Sequence, residues 1–469
     1  MTQILPRFSF RILLPLFILL SACGGGGKGD DSTPATPGAP TLVAMVVTPA
    51  ASTMAVGTSK QFIATGTYSD GKSAAVTTGL TWSTGALASV TSGGLVTAKA
   101  IGTEKVTATA GSVSASTSLI VRGRWQTAAA GGAHSLARKA DGTLYSWGWN
   151  RSGQLGDGTT VDKSTPISVD TQTSWTQIAS GEFHNVALRT DGSLWAWGFN
   201  QNGQLGDGTI IDRSVPVRIG TQNNWKFVAA GKSHTLAIRS DGSLWAWGRN
   251  FDGELGDGTV IDRLVPTRIG SALNWLTVAG GDTHSLARRT DGSLWAWGGN
   301  GNGQVGNGTT ISALLPVQLG TSTWAAVAAG ASHSLAIRAD GALFSWGGNG
   351  SGQLGSGNQF DLLAPTQVGS AANWAIIAGG SAHTLALKAD NTLWAWGANG
   401  LGQLGDGTFF ATATPKQIGS IANWVAIAAG QNHAVAVQGD GTLWTWGRNL
   451  EGQLGNGNFM SLNVPTNLP

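Results

Sequence analysis

The chain has 469 residues, among them 71 glycines and 21 tryptophans, and only 11% are charged, so it is long enough for more than one packed unit and rich in turns. Its formal net charge of +3 contains no run of lysine or arginine, which excludes the usual signature of a nucleic-acid binder. The single cysteine excludes a disulfide framework and a cysteine-ligated zinc site.

The N-terminus reads as an export signal. Arg7 and Arg11 precede an apolar stretch from Ile12 to Leu20, too short to cross a bilayer comfortably, and Leu20-Ser21-Ala22-Cys23 follows. That tetrad resembles a bacterial lipobox. The resemblance implies cleavage of a signal peptide at residues 1–22 and acylation of Cys23, and Gly24 in place of an aspartate favours the outer membrane. Removing residues 1–22 takes two arginines with it and lowers the formal charge from +3 to +1. At about 0.8 kcal/mol per buried methylene, several acyl chains would hold the protein at a membrane almost permanently. The expected location is therefore the cell envelope, as an outer-membrane lipoprotein, with periplasmic and surface orientations both open.

Residues 23–40 form a linker. Gly24 to Pro40 reads G-G-G-G-K-G-D-D-S-T-P-A-T-P-G-A-P, with almost nothing to bury. As a flexible coil it has a reach of about 20–25 Å. Residues 41–121 alternate Val, Thr and Ala in short runs broken by Gly and Asp-Gly, which predicts a small β-sandwich. Its phrases V-T-P (Val47–Pro49), Q-F-I-A-T-G-T-Y-S-D-G (Gln61–Gly71), L-T-W-S (Leu80–Ser83), G-L-V-T-A (Gly94–Ala98) and G-T-E-K-V-T-A (Gly102–Ala108) resemble the group 2 bacterial immunoglobulin-like domain. Members of that family commonly serve as stalks or adhesion modules; a spacer with no ligand of its own is the simpler reading.

From Trp125 to Pro469 one phrase recurs seven times. Copies begin at Trp125, Trp175, Trp225, Trp275, Trp324, Trp374 and Trp424, and all seven histidines (His134, His184, His234, His284, His333, His383, His433) fall at the same phase. A catalytic histidine would be singular, so one imidazole per copy points to architecture. In the second copy four apolar segments are separable: one ending at Gly181, His184 to Arg189, Leu194 to Trp197, and one around Val215 to Ile219. The pairs Asp141-Gly142, Asp191-Gly192, Asp241-Gly242, Asp291-Gly292, Asp340-Gly341 and Asp440-Gly441 predict tight hairpins, with Asp390-Asn391 substituting in the sixth copy. Leu194-Trp195-Ala196-Trp197 places bulky residues on both faces of its strand, so both faces must be covered. Four-stranded sheets covered on both sides and repeated at this period stack around an axis, which predicts an all-β fold: a seven-bladed β-propeller preceded by a small immunoglobulin-like β-sandwich. The combination G-x-x-H-[ST]-L-A followed by W-G-x-N-x-x-G-Q-L-G resembles the repeat of the RCC1 (regulator of chromosome condensation) propeller family over residues 125–469.

Chemistry is sparse. There is no H-E-x-x-H, G-x-S-x-G or P-loop, so no catalytic residue, metal site or cofactor is expected, and the protein reads as a non-enzyme. The turns holding Asp157, Asp207, Asp257 and Asp406 hint at calcium, but Asn307, Ser356 and Asn456 share their phase, which favours a structural cap. Lys139, Arg189, Arg239, Arg289, Arg338 and Lys388 recur before the hairpins and read as solvated ladder charges, with Gln438 breaking the series.

Recognition is then expected where copies differ. Strand alternation sends the G-x-x-H bend and the W-G-x-N-x-x-G loop to one end of the propeller and the hairpins to the other. At the first end, copies seven, one, two and three present Arg448 and Leu450, Trp149 and Arg151, Phe199 and Gln201, and Arg249 and Phe251; copies four to six present Gly299, Gly301, Gly348, Gly350, Ala398 and Gly400. The bulky sector is a candidate docking patch, with Phe183 beside it and Glu182, Lys232 and Asp282 as a charged rim. The alternative is that these side chains fold back over their own loops.

A lipid-anchored binding or adhesion protein, probing another protein or an envelope ligand and acting as a monomer without nucleic acid, is the favoured reading. The family resemblance also implies that this scaffold can inhibit β-lactamase outside the cytoplasm, or exchange guanine nucleotides on a small GTPase. Exchange finds no GTPase beyond the inner membrane. A glycan-active enzyme lacks a unique carboxylate pair. Ring closure by direct contact, or by borrowing the strand at Ser118 to Val121, are both open.

Overall fold

The computed structural model describes residues 39–468; the expected export signal, Cys23 and most of the expected linker lie outside the described residues. Residues 42–122 form three small sheets around one core. Leu42–Thr48, Ile63–Tyr68 and Ser73–Ala75 make the first; Ala51–Ala55, Val113–Arg122, Gly102–Ala110 and Leu80–Ser83 the second; Ser59–Gln61, Leu95–Ala98 and Ala88–Val90 the third. Phe62, Val96, Val106, Leu119 and Val121 are buried between them, and Trp82 packs at their margin. The alternating Val/Thr/Ala pattern sets this packing, since every second residue of the long strands faces inward.

Each of the seven copies folds into its own four-stranded antiparallel sheet. In the second blade these strands are Trp175–Ser180, His184–Arg189, Leu194–Gly198 and Arg213–Arg218, from axis to circumference. The hairpin glycines have φ of +76 to +86°, and Asn391 adopts +62°, the left-handed conformation that the hairpin requires. The Asp side chain holds the turn by accepting the amide two residues on, as Asp191 does from Ser193 at 2.9 Å.

Both faces of the third strand are covered, as its sequence demands. Trp197 is fully buried, and its indole donates to the Gln154 carbonyl of the preceding blade at 3.0 Å. All seven equivalent indoles do the same, from Trp147 to Gln453 O through Trp446 to Gln403 O, at 2.8–3.0 Å. The receiving glycine explains the small residues of the motif: a Cβ on Gly206 would sit 2.6 Å from the Trp247 nitrogen.

The ring closes by direct contact. Blade seven keeps all four strands, Trp424–Ala429, His433–Gln438, Leu443–Gly447 and Leu462–Asn467. The strand Val113–Arg122, which contains Ser118 to Val121, pairs only within the N-terminal unit. The last seam has the same bonds as the others: Trp147 to Gln453 O, His433 to Ser135, and Gln431 N to Gly131 O.

The recurring cations differ from expectation. They are not solvated ladder charges. Arg189 lies 4.4 Å from the Trp175 ring centroid and 3.9 Å from that of Trp195; Arg239, Arg289 and Lys388 cover the matching pairs, Lys139 covers Trp125 and Tyr145, and Arg338 covers Phe344. The first-strand Trp and the outward-facing aromatic of the third strand converge on one side of the sheet, and the cation caps them.

Candidate functional site

The histidines form a girdle between blades. In six seams the imidazole Nε2 meets a polar side chain of the next blade: His134 to Asn185 at 2.8 Å, His184 to Thr235 at 3.0 Å, His234 to Ser285 and His284 to Ser334 at 2.9 Å, His333 to Thr384 at 3.1 Å, and His433 to Ser135 at 2.9 Å. Each of those partners spends a proton on a backbone carbonyl, as Ser285 does on Glu254 O, so Nε2–H must be the donor toward it. The Nδ1 atoms have no hydrogen-bond partner to hold a second proton. Burial holds their pKa at about 3 to 4, far below the ordinary 6.5. The sixth seam is the exception: Ala434 stands where a hydroxyl or the Asn185 amide stands elsewhere, and His383 Nε2 has no partner.

The calcium-like turns are filled from within. In blade one, Asn150 Nδ2 donates to Asp157 Oδ1, Thr159 O and Val161 O at 3.1–3.2 Å, so an amide nitrogen occupies the centre of the oxygen cage. Asn200, Asn250, Asn300, Asn349, Asn399 and Asn449 repeat this arrangement. Burial alone would raise the Asp157 carboxyl, but hydrogen bonds from Thr159 and Asn150, with Lys163 nearby, bring it below its ordinary value. Among the described residues no cluster of His, Cys, Asp and Glu has metal-binding geometry.

The bends and the third-to-outer loops share one end, with Phe199 N donating to Phe183 O at 2.8 Å. Here the nine candidate residues separate into three groups. Trp149, Phe183 and Phe199 form an aromatic row across blades one and two, with ring centroids 4.6 and 6.4 Å apart. Arg151, Gln201, Phe251 and Leu450 stand exposed, Phe251 at 73%. Arg249 and Arg448 instead turn back onto their own loops: Arg249 pairs with Asp252 and with the buried Glu254 at 2.7 Å, and Arg448 with Glu451 at 2.5 Å. Burial raises the Glu254 carboxyl, opposed by its own loop's amide and by Arg249. Glu254 replaces the glutamine of the other copies, and Arg249 is the counter-charge that it requires.

The charged rim lies around the axial mouth. Seven backbone hydrogen bonds circle it, from Gly132 N to Glu182 O through Gln431 N to Gly131 O, at 2.9–3.2 Å. Gln431 reaches across the side-chain-free Gly132 to donate to Glu182 at 2.6 Å, and Lys232 lies 3.6 Å from both Glu182 and Asp282. The mouth itself is a shallow, open depression of about 80 Å³, lined by glycines and alanines of the seven inner strands together with Glu182, Lys232, Asp282 and Gln431. Burial raises the Asp282 carboxyl, with Lys232 opposing.

One feature of this end escaped the sequence reading. The sixth residue after the leucine of the G-Q-L-G motif, or after its counterpart Val305 in blade four, lies at each loop tip and is apolar and exposed in every blade: Val161, Ile211, Ile261, Ile311, Phe360, Phe410 and Met460, at 59–80% exposure. Ile210, Val260, Phe409 and Phe459 extend four of the tips.

A family model described as the RCC1-like domain matches residues 23–374 and 213–469. Ice-binding protein 1 of Shewanella frigidimarina (strain NCIMB 400) is 47% identical over 81 residues, which is 17% of this chain but 9% of that protein's length. Among solved structures, yeast RCC1 (Prp20), in its complex with Kap60, has a TM-score of 0.63 at 24% identity, over 69% of this chain and 83% of its own. Human WBSCR16 has a TM-score of 0.64 at 22% identity, over 70% and 94%. At those identities the likeness is one of fold.

Proposed function

The chain belongs to the RCC1-like domain family, and from that premise we propose that it is a lipid-anchored binding protein of the cell envelope that recognises a protein or envelope ligand through the loop end of blades seven, one, two and three. The observation that carries this reading is the aromatic row Trp149–Phe183–Phe199, which continues into the exposed Arg151 and Gln201. Aromatic side chains on rigid loops lose little entropy on contact and are the usual anchors of protein interfaces. Yeast RCC1, a solved structure of similar fold, is bound to another protein, Kap60, which agrees in kind.

The remaining parts follow as a delivery system. Cys23, acylated, would fix the chain to the outer membrane. The linker and residues 41–121, as an immunoglobulin-like stalk, would hold the propeller away from the headgroups. The hydroxyls that meet the girdle histidines recur from blade to blade and each donates its own proton to a backbone carbonyl, as Ser285 does to Glu254 O, so the girdle serves as scaffold.

Two substitutions test the two halves. Cys23→Ala should release the protein from the membrane fraction without altering the propeller. Phe199→Ala with Phe251→Ala should weaken partner binding at least tenfold at an unchanged melting temperature. Equal affinity in that double variant sinks the docking sector.

A further inference from the structure

We propose that the annulus of apolar loop tips is a homophilic docking surface, occupied by the same face of a second copy of this chain. Seven equivalent tips project at one end, from Val161 in blade one to Met460 in blade seven. They are presented rigidly. Each tip's carbonyl accepts the buried Asn amide, as Ile211 O does from Asn200 at 3.2 Å, and in five blades its amide donates to the threonine two residues earlier. A hydrophobic side chain fixed in water by a dedicated hydrogen-bond cage is costly unless something covers it.

A second copy fits this surface for two reasons. A two-fold interface brings each patch against itself, and a ring that is apolar at every azimuth meets apolar surface whatever the rotation. The area also suffices. With the four neighbouring apolar residues, the tips offer on the order of 1,000 Å² per copy, or about 2,000 Å² for a pair, which reaches the range of stable specific interfaces.

The charges fix the sign of the salt dependence. Asp162, Asp212, Asp262 and Asp361 follow four of the tips, and among the described residues none of them has an ion-pair partner; Lys163, Arg213, Arg263 and Lys416 are held by Asp157, Asp207, Asp257 and Asp406 of their own loops. Two such faces repel electrostatically while attracting through apolar contact, so added salt should tighten the pair. A basic partner or an anionic bilayer would show the opposite dependence.

The chain enters blade one at the hairpin end, where Ala140 N donates to Arg124 O, so the annulus faces away from the N-terminal unit. With the proposed anchor at Cys23, on which this last step rests, paired faces would join copies held on two opposed membranes. The pairing itself does not depend on the anchor.

The test is sedimentation equilibrium of the chain beginning at Gly24, at micromolar concentration, in dilute and in roughly 0.5 M sodium chloride. Dimers that tighten with salt, and that weaken at least tenfold in Ile211→Ser/Ile261→Ser/Phe360→Ser at unchanged melting temperature, are the expected result. A monomer under both conditions, dimers indifferent to the triple substitution, or dimers that loosen with salt would each overturn the proposal. So would a monomer that instead binds vesicles of zwitterionic phosphatidylcholine. Failure of Cys23→Ala to change membrane attachment would refute the anchor and leave this result standing.

Discussion

Mild acid should unfold the propeller well before its carboxylates titrate. In the unfolded chain each of the seven imidazoles protonates at the ordinary 6.5, whereas in the fold burial holds them at about 3 to 4. The unfolded state therefore binds more protons between those values, so stability is complete above pH 6.5 and drains as pH falls toward 4. At pH 5.5 an unfolded imidazole gains about 1.4 kcal/mol from protonation, and seven give roughly 9 kcal/mol relative to pH 7.5. That loss is comparable with the whole stability of an ordinary domain. Urea titrations followed by tryptophan fluorescence at pH 7.5, 6.5 and 5.5 read it directly, and the proton uptake on unfolding at pH 5.5 should be about six. A fall smaller than about 2 kcal/mol over this range would mean that the imidazoles protonate in place, and the girdle as described would be wrong.

The gap in the sixth seam gives a prediction of opposite sign. Ala434→Ser places a hydroxyl between His383 Nε2 and Gln403 O, as in five other seams, and should stabilise the chain by about 1 kcal/mol in the same urea assay; destabilisation would show that the seam is packed too tightly to accept it. Gly206→Ala meets both a φ of +79° and the Trp247 ring, and should cost at least about 2 kcal/mol, visible as a lowered melting temperature. Arg239→Gln uncovers the Trp225–Trp245 pair and should cost about 1 kcal/mol, little changed by salt because the contact is with aromatic faces.

What the sequence disclosed was whatever repeats in phase. The Asp-Gly pairs mark hairpins because the turn itself needs a positive φ, and Trp195 and Trp197 on one face with Leu194 and Ala196 on the other announce a strand covered on both sides. The register of four strands in the second blade matches the sequence segments to within two or three residues at either end. What stayed hidden depends on convergence. Arg189 looks like a surface charge until Trp175 and Trp195, twenty residues apart, meet beneath it. Gln431 and Glu182 are 249 positions apart and touch only because Gly132 leaves a gap between their blades.

The side-chain disposition of the proposed docking sector was legible in part. Phe251 and Leu450 are exposed, as their positions among glycines suggested, yet Arg249 and Arg448 fold back because each loop carries its own carboxylate, Glu254 and Glu451. Those acids were present in the sequence and were the missing signal. The apolar tips were likewise readable in G-D-G-T-I-I-D and its equivalents, but a turn motif distracts from the side chains that it displays.

The central claim is that the buried residues recurring in every blade build the scaffold, while recognition of the envelope partner lies where blades differ. Affinity and melting temperature, measured together for His234→Gln and for Phe199→Ala/Phe251→Ala against a partner isolated on the immobilised wild-type chain, test it most directly. The account predicts that the histidine variant melts lower and binds with wild-type affinity once folded, and that the phenylalanine variant melts normally and binds at least tenfold more weakly. Loss of binding in the folded histidine variant, with normal binding in the other, would contradict it.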